Sequence, residues 1–238
     1  DPSPTLAVGA LSGVYSSFPL GLSINPVNGT INLVLSTIGT YTVYNTVAAS
    51  GGCAAALDST VVTIDLPPLA FAGTDTVICS YNLLSLSGSI GGSASSLLWT
   101  TSGNGTFSNP TSANSNYNPS ANDILNGIVT LTITTDDPSG ACNSVSDSLS
   151  LLINLPPDLT MGPDTILNCL NPSITISCLT TFPTVTYNWS GPGIVSSGNT
   201  ANPVVNTSGT YTVTLTNVGD GCYSVDSLFV GVNSNIPN

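Results

Sequence analysis

The sequence predicts an all-β chain of three tandem antiparallel β-sandwiches strung into a rod. Three observations carry that prediction. Short stretches alternate apolar residues with Thr or Ser; no stretch of helical length keeps an apolar face free of Gly, Pro or Asn; and one block of sequence recurs along the chain.

The recurrence sets the units. Ile64-Asp65-Leu66-Pro67-Pro68 returns as Ile153-Asn154-Leu155-Pro156-Pro157, and Ala72-Gly73-Thr74-Asp75-Thr76-Val77-Ile78-Cys79 parallels Met161-Gly162-Pro163-Asp164-Thr165-Ile166 with Cys169 shortly after. Three units follow, 1–66, 67–155 and 156–238. Length alone suggests one or two domains, and the repeat overrules it.

Each unit has the same closing pattern. In the first, Gly39-Thr40-Tyr41-Thr42-Val43 reads as a strand whose phase slips at Tyr44-Asn45, where a bulge is expected. A Gly-rich hairpin loop with Cys53 comes next, then Asp58-Ser59 and a last apolar strand. In the middle unit Val129, Leu131 and Ile133 alternate with Thr130, Thr132 and Thr134, before Cys142 and Asp147-Ser148. In the third, Tyr211, Val213 and Leu215 alternate with Thr210, Thr212, Thr214 and Thr216, before Cys222 and Asp226-Ser227. Period two buries one face and wets the other, and Thr suits the pleated outer face. The Pro-Pro pairs hold the junctions extended and stiff.

Composition removes several classes of function. The 238 residues include no Lys, Arg or His; the twelve acidic residues are all Asp, and the net charge is −12. Charged residues make up 5% of the chain, against roughly 25% in an ordinary soluble domain. Without cations there is no phosphate clamp for nucleic acid and no basic patch for anionic lipid. Without His or Lys the usual bases that activate a Ser or Cys nucleophile are missing, so the chain reads as a non-enzyme. A 41% hydrophobic content is the opposite of a disordered composition, and no run approaches the roughly 18 apolar residues of a membrane span. The opening Asp1-Pro2-Ser3-Pro4 lacks the basic and apolar regions of a signal peptide, so the sequence reads as a mature product or an excised stretch. A surface of hydroxyls and amides this poor in charge points either to a coat of glycan or to contact with copies of itself.

Particular residues carry a family resemblance. Trp99-Thr100-Thr101-Ser102-Gly103-Asn104-Gly105-Thr106-Phe107 and Tyr117-Asn118-Pro119-Ser120-Ala121-Asn122-Asp123-Ile124 resemble the immunoglobulin-like repeats of large Bacteroidota surface proteins, gliding-motility adhesins and related filaments among them. Unit three, with Thr186-Tyr187-Asn188-Trp189-Ser190-Gly191-Pro192-Gly193, is similar to their PKD-like repeats. Unit one, with Gly21-Leu22-Ser23-Ile24-Asn25 and Asn28-Gly29-Thr30-Ile31-Asn32-Leu33, resembles a third variant. The resemblance implies immunoglobulin-like sandwiches, export by the type IX route and a place on the cell surface or in an extracellular fibre. It also implies a first strand whose Cys pairs with the hairpin Cys of the same unit, hence Cys79–Cys142 and Cys169–Cys222. Unit one starts too late to hold that strand and is expected to be incomplete, the strand lying upstream or being supplied by another subunit. Cys53 and Cys178 are left unpaired or with a partner outside the chain, Cys53 with the absent upstream strand. Spacing leaves connectivity open.

Five Asp residues stand before a hydroxyl residue, in Asp58-Ser59-Thr60, Asp75-Thr76-Val77, Asp147-Ser148-Leu149, Asp164-Thr165-Ile166 and Asp226-Ser227-Leu228. This resembles the Bacteroidota O-glycosylation motif and implies sugar on Ser59, Thr76, Ser148, Thr165 and Ser227. The alternative is an Asp that caps a strand start beside an outward Ser or Thr. Four Asn-x-Ser/Thr sequons, at Asn28, Asn104, Asn188 and Asn206, matter only in a host that uses them. No cofactor is expected. Calcium is the one candidate ion, with Asp136, Asp137 and Asp220 as oxygen donors, although no Asp-x-Asp-x-Asp loop is present and solvated turns are the simpler account. Trp99 and Trp189 are expected in cores rather than on a sugar-stacking platform. The leading function is thus a structural segment of an extracellular adhesin shaft or filament, its partners copies of itself or further repeats. The alternatives are a carbohydrate- or cell-binding module and an accessory region of a secreted hydrolase.

Overall fold

A computed structural model describes residues 13–138 and 142–233; the opening Asp1–Pro4 stretch lies outside the described residues. The chain is built of short β-strands around three separate hydrophobic cores.

The first segment forms β1 (Val14–Phe18), β2 (Gly39–Val47) and β3 (Ala56–Ile64), an antiparallel sheet in the order β1-β2-β3. Its core is small: Tyr15, Tyr41 and Val43 meet Leu22 and Ile31 from the intervening loop, which is pinned by an Ile24–Ile31 bridge. The expected bulge at Tyr44-Asn45 is absent. Pairing runs unbroken from Gly39 opposite Ile64 to Val47 opposite Ala56. The polarity pattern slips there because only Tyr41 and Val43 on β2 are buried, so the far end of the strand has no inner face to keep apolar. Most of β3 is exposed on both faces.

The middle segment is a complete sandwich of β4 (Leu69–Phe71), β5 (Thr76–Cys79), β6 (Leu84–Ser85), β7 (Ser89–Gly91), β8 (Leu97–Thr101), β9 (Thr106–Phe107), β10 (Asn116–Asn118), α1 (Ala121–Asn126), β11 (Ile128–Thr135) and β12 (Ser146–Asn154). One sheet has the order β5-β12-β11-β8, and facing it are β6-β10-β9 and the pair β4-β7. The third segment repeats the plan with β13 (Thr160–Met161), β14 (Thr165–Asn168), β15 (Ile174–Thr175), β16 (Cys178–Leu179), β17 (Val185–Ser190), β18 (Ile194–Ser196), β19 (Val204–Val205), β20 (Gly209–Asn217) and β21 (Tyr223–Asn233). Its sheets are β14-β21-β20-β17, β15-β19-β18 and β13-β16. A register irregularity between Ile194 and Ser196 marks β18.

The Thr-alternating strands behave as the pattern requires. Leu131, Ile133, Leu149, Leu151 and Ile153 point into the middle core, and Tyr211, Val213, Leu228 and Val230 into the third. Outside, Thr132 pairs with Ser148 and Thr134 with Ser146, hydroxyl to hydroxyl at 2.8 Å each. Both tryptophans are buried on the strand that faces the second sheet, and each indole N–H donates to a loop carbonyl, Trp99 to Ser112 at 3.1 Å and Trp189 to Thr200 at 2.9 Å. Burying an indole without such an acceptor costs free energy.

One departure from pure antiparallel pairing decides the positions of the cysteines. The first long strand of each complete sandwich runs parallel to the last: β5 lies along β12 with Cys79 opposite Asn154, and β14 along β21 with Asn168 opposite Asn233. Asp75 and Asp164 fasten these pairs, accepting the N–H of Ser150 and of Phe229 at 2.8 Å each. Each first strand therefore ends at the pole where the chain leaves the sandwich, while the hairpin before the last strand lies at the pole where the chain enters.

Candidate functional site

The chemistry concentrates where the middle sandwich meets the third. Cys79, at the leaving pole of the middle sandwich, is bonded to Cys222, in the hairpin at the entering pole of the next, with Cα atoms 5.5 Å apart. This corrects the expected pairs Cys79–Cys142 and Cys169–Cys222. The physical reason is length. Cys142 precedes β12 and Cys79 lies beside its last residue; nine residues of strand separate them, about 30 Å at the usual rise. Cys222 precedes the eleven residues of β21, and Cys169 follows the residue opposite its end, about 36 Å away. A disulfide needs Cα atoms within about 7 Å.

Around the bridge the two sandwiches interlock. Asn154 donates from Nδ2 to Asp220 Oδ2 at 2.8 Å, and Asp220 Oδ1 accepts the N–H of Cys222 at 2.9 Å. The N–H of Tyr223 donates to the Tyr81 hydroxyl at 3.2 Å, and the two rings meet edge to face with centroids 5.3 Å apart. On the linker side, Ser224 donates its hydroxyl to the carbonyl of Pro157 at 2.6 Å. A turn places Tyr81 there, since Asn82 N–H donates to the Cys79 carbonyl and Ser80 N–H to that of Asn154. An open cleft of about 800 Å³ borders the seam between Tyr81, Asn82, Asn154, Asp220 and Tyr223. Asp220 Oδ2 and the hydroxyl of Tyr81 already have partners across the seam and Asp220 Oδ1 has one within its own hairpin, so the cleft reads as the margin of an interface.

The other cysteines are free thiols: Cys53 and Cys169 exposed, Cys142 half-buried, Cys178 buried. Cys178 stands where the middle sandwich has Gly88. There a side chain would meet Trp99 Cζ2 at 2.6 Å, whereas Cys178 fills the equivalent place in the third core. Burial pushes its thiol above the ordinary range. Cys178 is packing.

The candidate calcium donors have other partners. Asp136 accepts the hydroxyl of Ser95 and the N–H groups of Ser95 and Ser96, which draw its carboxyl down to about 2. Asp137 is exposed beside it, and Asp220 belongs to the seam. Among the described residues no three His, Cys, Asp or Glu side chains gather as metal ligands. Of the glycan candidates, Ser59, Ser148 and Ser227 are exposed and Thr76 and Thr165 half-exposed, all on β3, β5, β12, β14 or β21. The adjoining Asp residues serve the fold: besides Asp75 and Asp164, Asp147 accepts the N–H of Ala72 at 2.8 Å.

Sequence reasoning missed a hub in the middle sandwich. Ser120 and Asp123 form a reciprocal capping box on α1; Asp123 Oδ2 accepts the Tyr117 hydroxyl and the Ser120 N–H at 2.8 Å each, and Oδ1 the N–H of Asn104 at 2.9 Å. Burial opposes the charge of Asp123, but these donors outweigh it and hold its carboxyl below the usual range. A side chain at Gly103 would sit 2.1 Å from Oδ1, so the hub requires that glycine. The first and third segments close the same corner with tyrosine: Tyr41 donates to the Thr37 carbonyl at 2.8 Å and Tyr211 to that of Thr207 at 2.6 Å.

Known structures are similar in fold. The I67–I69 fragment of the titin I-band matches 94% of this chain and 87% of its own length at 18% identity, with a TM-score of 0.42. The insect immune protein hemolin matches 97% and 76%, at 14% identity and TM-score 0.41. Mouse cadherin-23 EC22–24 matches 93% and 86%, at 14% identity and TM-score 0.33. No protein-family model matches the chain, and no curated protein does. No helix among the described residues is long and apolar enough to cross a membrane.

Proposed function

We propose that the chain is a non-catalytic structural segment of an extracellular shaft, an adhesin or filament of the Bacteroidota type, and that its task is to hold successive sandwiches in line and carry tension between them. The observation that carries this reading is the junction: a covalent bridge, an amide–carboxylate hydrogen bond and a tyrosine pair join two sandwiches that each have their own core. A linker meant to flex gains nothing from such a staple. Disulfides persist in oxidising surroundings, which favours a place outside the cell. A low-charge, hydroxyl-paved surface favours contact with copies or an O-glycan coat on Ser59, Thr76, Ser148, Thr165 and Ser227.

Single-molecule pulling from the two ends tests the reading. The bridge joins residues 143 positions apart, so tension crosses from Cys79 to Cys222 and bypasses the chain between them. Without reductant that stretch adds no extension. With reductant it adds about 500 Å of contour length, at roughly 3.6 Å per residue. Equal extension in both conditions would count against load-bearing. Intact mass of native material, heavier than the sequence by hexose increments, is the expected result for the glycan coat.

A further inference from the structure

The observed bridge obeys a directional rule: it runs from the leaving pole of one sandwich to the entering hairpin of the next. Two exposed thiols occupy the same two kinds of place with no partner. Cys169 directly follows β14 at the leaving pole of the third sandwich, one residue further out along the parallel pair than Cys79 is in the middle one. Cys53 lies in the β2–β3 hairpin at the entering pole of the first sheet, as Cys222 does in the third. Both hairpins carry left-handed glycines, Gly51 and Gly52 in one and Gly221 in the other, where an added Cβ would meet no atom within 4 Å. Cys222 is buried because it is seated against its partner, whereas among the described residues Cys53 is exposed.

We infer that Cys169 of one copy bonds to Cys53 of the next, so that the rule observed inside the chain continues across copies and joins them head to tail. The inference rests on the structural reading above and gives it a mode of assembly. Each copy supplies one thiol at each pole, and the product is an open-ended line. Cys142 is the competing hairpin thiol. It is half-buried at the entering pole of the middle sandwich, and the nine residues of β3 separate that junction from Cys53. Cys178 is sealed in a core.

The chemistry is thiol–disulfide exchange with a low-molecular-weight disulfide. The Cys169 thiolate attacks oxidised glutathione, giving a mixed disulfide and releasing one glutathione thiolate. The Cys53 thiolate of the next copy then attacks Cys169 Sγ, forming the protein S–S bond and releasing the second. The two protein thiols lose two protons and two electrons, and glutathione disulfide is reduced to two thiols.

The test is oxidation of the purified chain with oxidised glutathione, read on non-reducing gels and by peptide mass mapping. The expected result is a ladder of integral multiples that collapses with reductant, contains a Cys53–Cys169 peptide, and survives Cys142→Ser. Cys53→Ser and Cys169→Ser, each with an unchanged circular dichroism spectrum, each reduce the ladder at least tenfold. Mixed together, they give a heterodimer and nothing larger. Monomer throughout, bonds through Cys142, like-to-like pairs, or a Cys169 bonded within a longer product of the same gene would overturn the inference. Micrographs separate its failure from that of the reading beneath it. Fibres that form equally well in Cys53→Ser sink the disulfide alone, whereas no fibre in oxidised or reduced samples sinks the structural assembly too.

Discussion

At the scale of the residue, two devices hold the same corner of the sandwich. Tyr211 reaches back four residues to a carbonyl, while the middle sandwich replaces that tyrosine with a buried carboxylate, Asp123, that gathers three donors. The second device has the greater consequence when cut. Tyr211→Phe is expected to cost about 1 kcal/mol, a neutral hydrogen bond. Asp123→Ala leaves the N–H groups of Asn104 and Ser120 unsatisfied, takes from the Tyr117 hydroxyl one partner while Thr101 remains, and is expected to cost roughly 3 kcal/mol. Urea titration checks both, since each complete sandwich has its own tryptophan, Trp99 or Trp189, as a local reporter. The pH dependence follows from the same carboxylates. Asp123, Asp136 and Asp158 all titrate below the ordinary range, Asp158 chiefly through the Thr181 N–H. Their folded-state values are depressed, so the stability they contribute is fully present above the unfolded value of about 3.9 and is lost as pH falls through the folded values. With no His in the chain, the melting temperature is expected to stay flat from about pH 5 to 8 and to fall only below about pH 4.

At the scale of the element, the parallel pair of first and last strands organises each complete sandwich. Its end is secured by one side chain, and removing that side chain should loosen the strand without unfolding the core. Asp164→Ala frees the N–H of Phe229 and is expected to raise amide exchange of β14 and β21 selectively, with a loss of about 1 kcal/mol. Much of this architecture was legible in the sequence. Thr alternating with Val, Leu and Ile marked β11 and β20, and a Trp ahead of each marked the strand beside them. What escaped has a physical cause. Helix α1 has six residues, too few to display a period of 3.6, and it is held by Asp123, whose partners come from other loops. Cys142 and Cys222 precede equivalent strands and Cys169 lies one residue beyond the place of Cys79, but such equivalence does not say which pole a strand end occupies. Only the parallel alignment of β5 with β12 and of β14 with β21 does, and that is a property of pairing between distant segments. The seam residues Tyr81, Asn154 and Tyr223 were invisible for the same reason, since no local pattern marks a contact between successive sandwiches.

At the scale of the whole molecule, the junction converts two independently cored sandwiches into one body. Cys222→Ser, or reduction, is expected to leave both cores folded and to release their mutual orientation. Small-angle scattering should then report a broader distribution of maximum dimension, while tryptophan fluorescence and circular dichroism stay unchanged. The first sheet stands apart in this respect: its last strand, β3, has no strand on its outer edge among the described residues, and its exposed apolar residues include Leu57 and Val61. The Cys79–Cys222 bridge has one more effect, on survival after damage. It closes a covalent ring through most of the middle and third sandwiches, so a single backbone cut anywhere inside the ring yields no separate fragment. Wounds to the loops between Cys79 and Cys222 are held shut by sulfur at the junction.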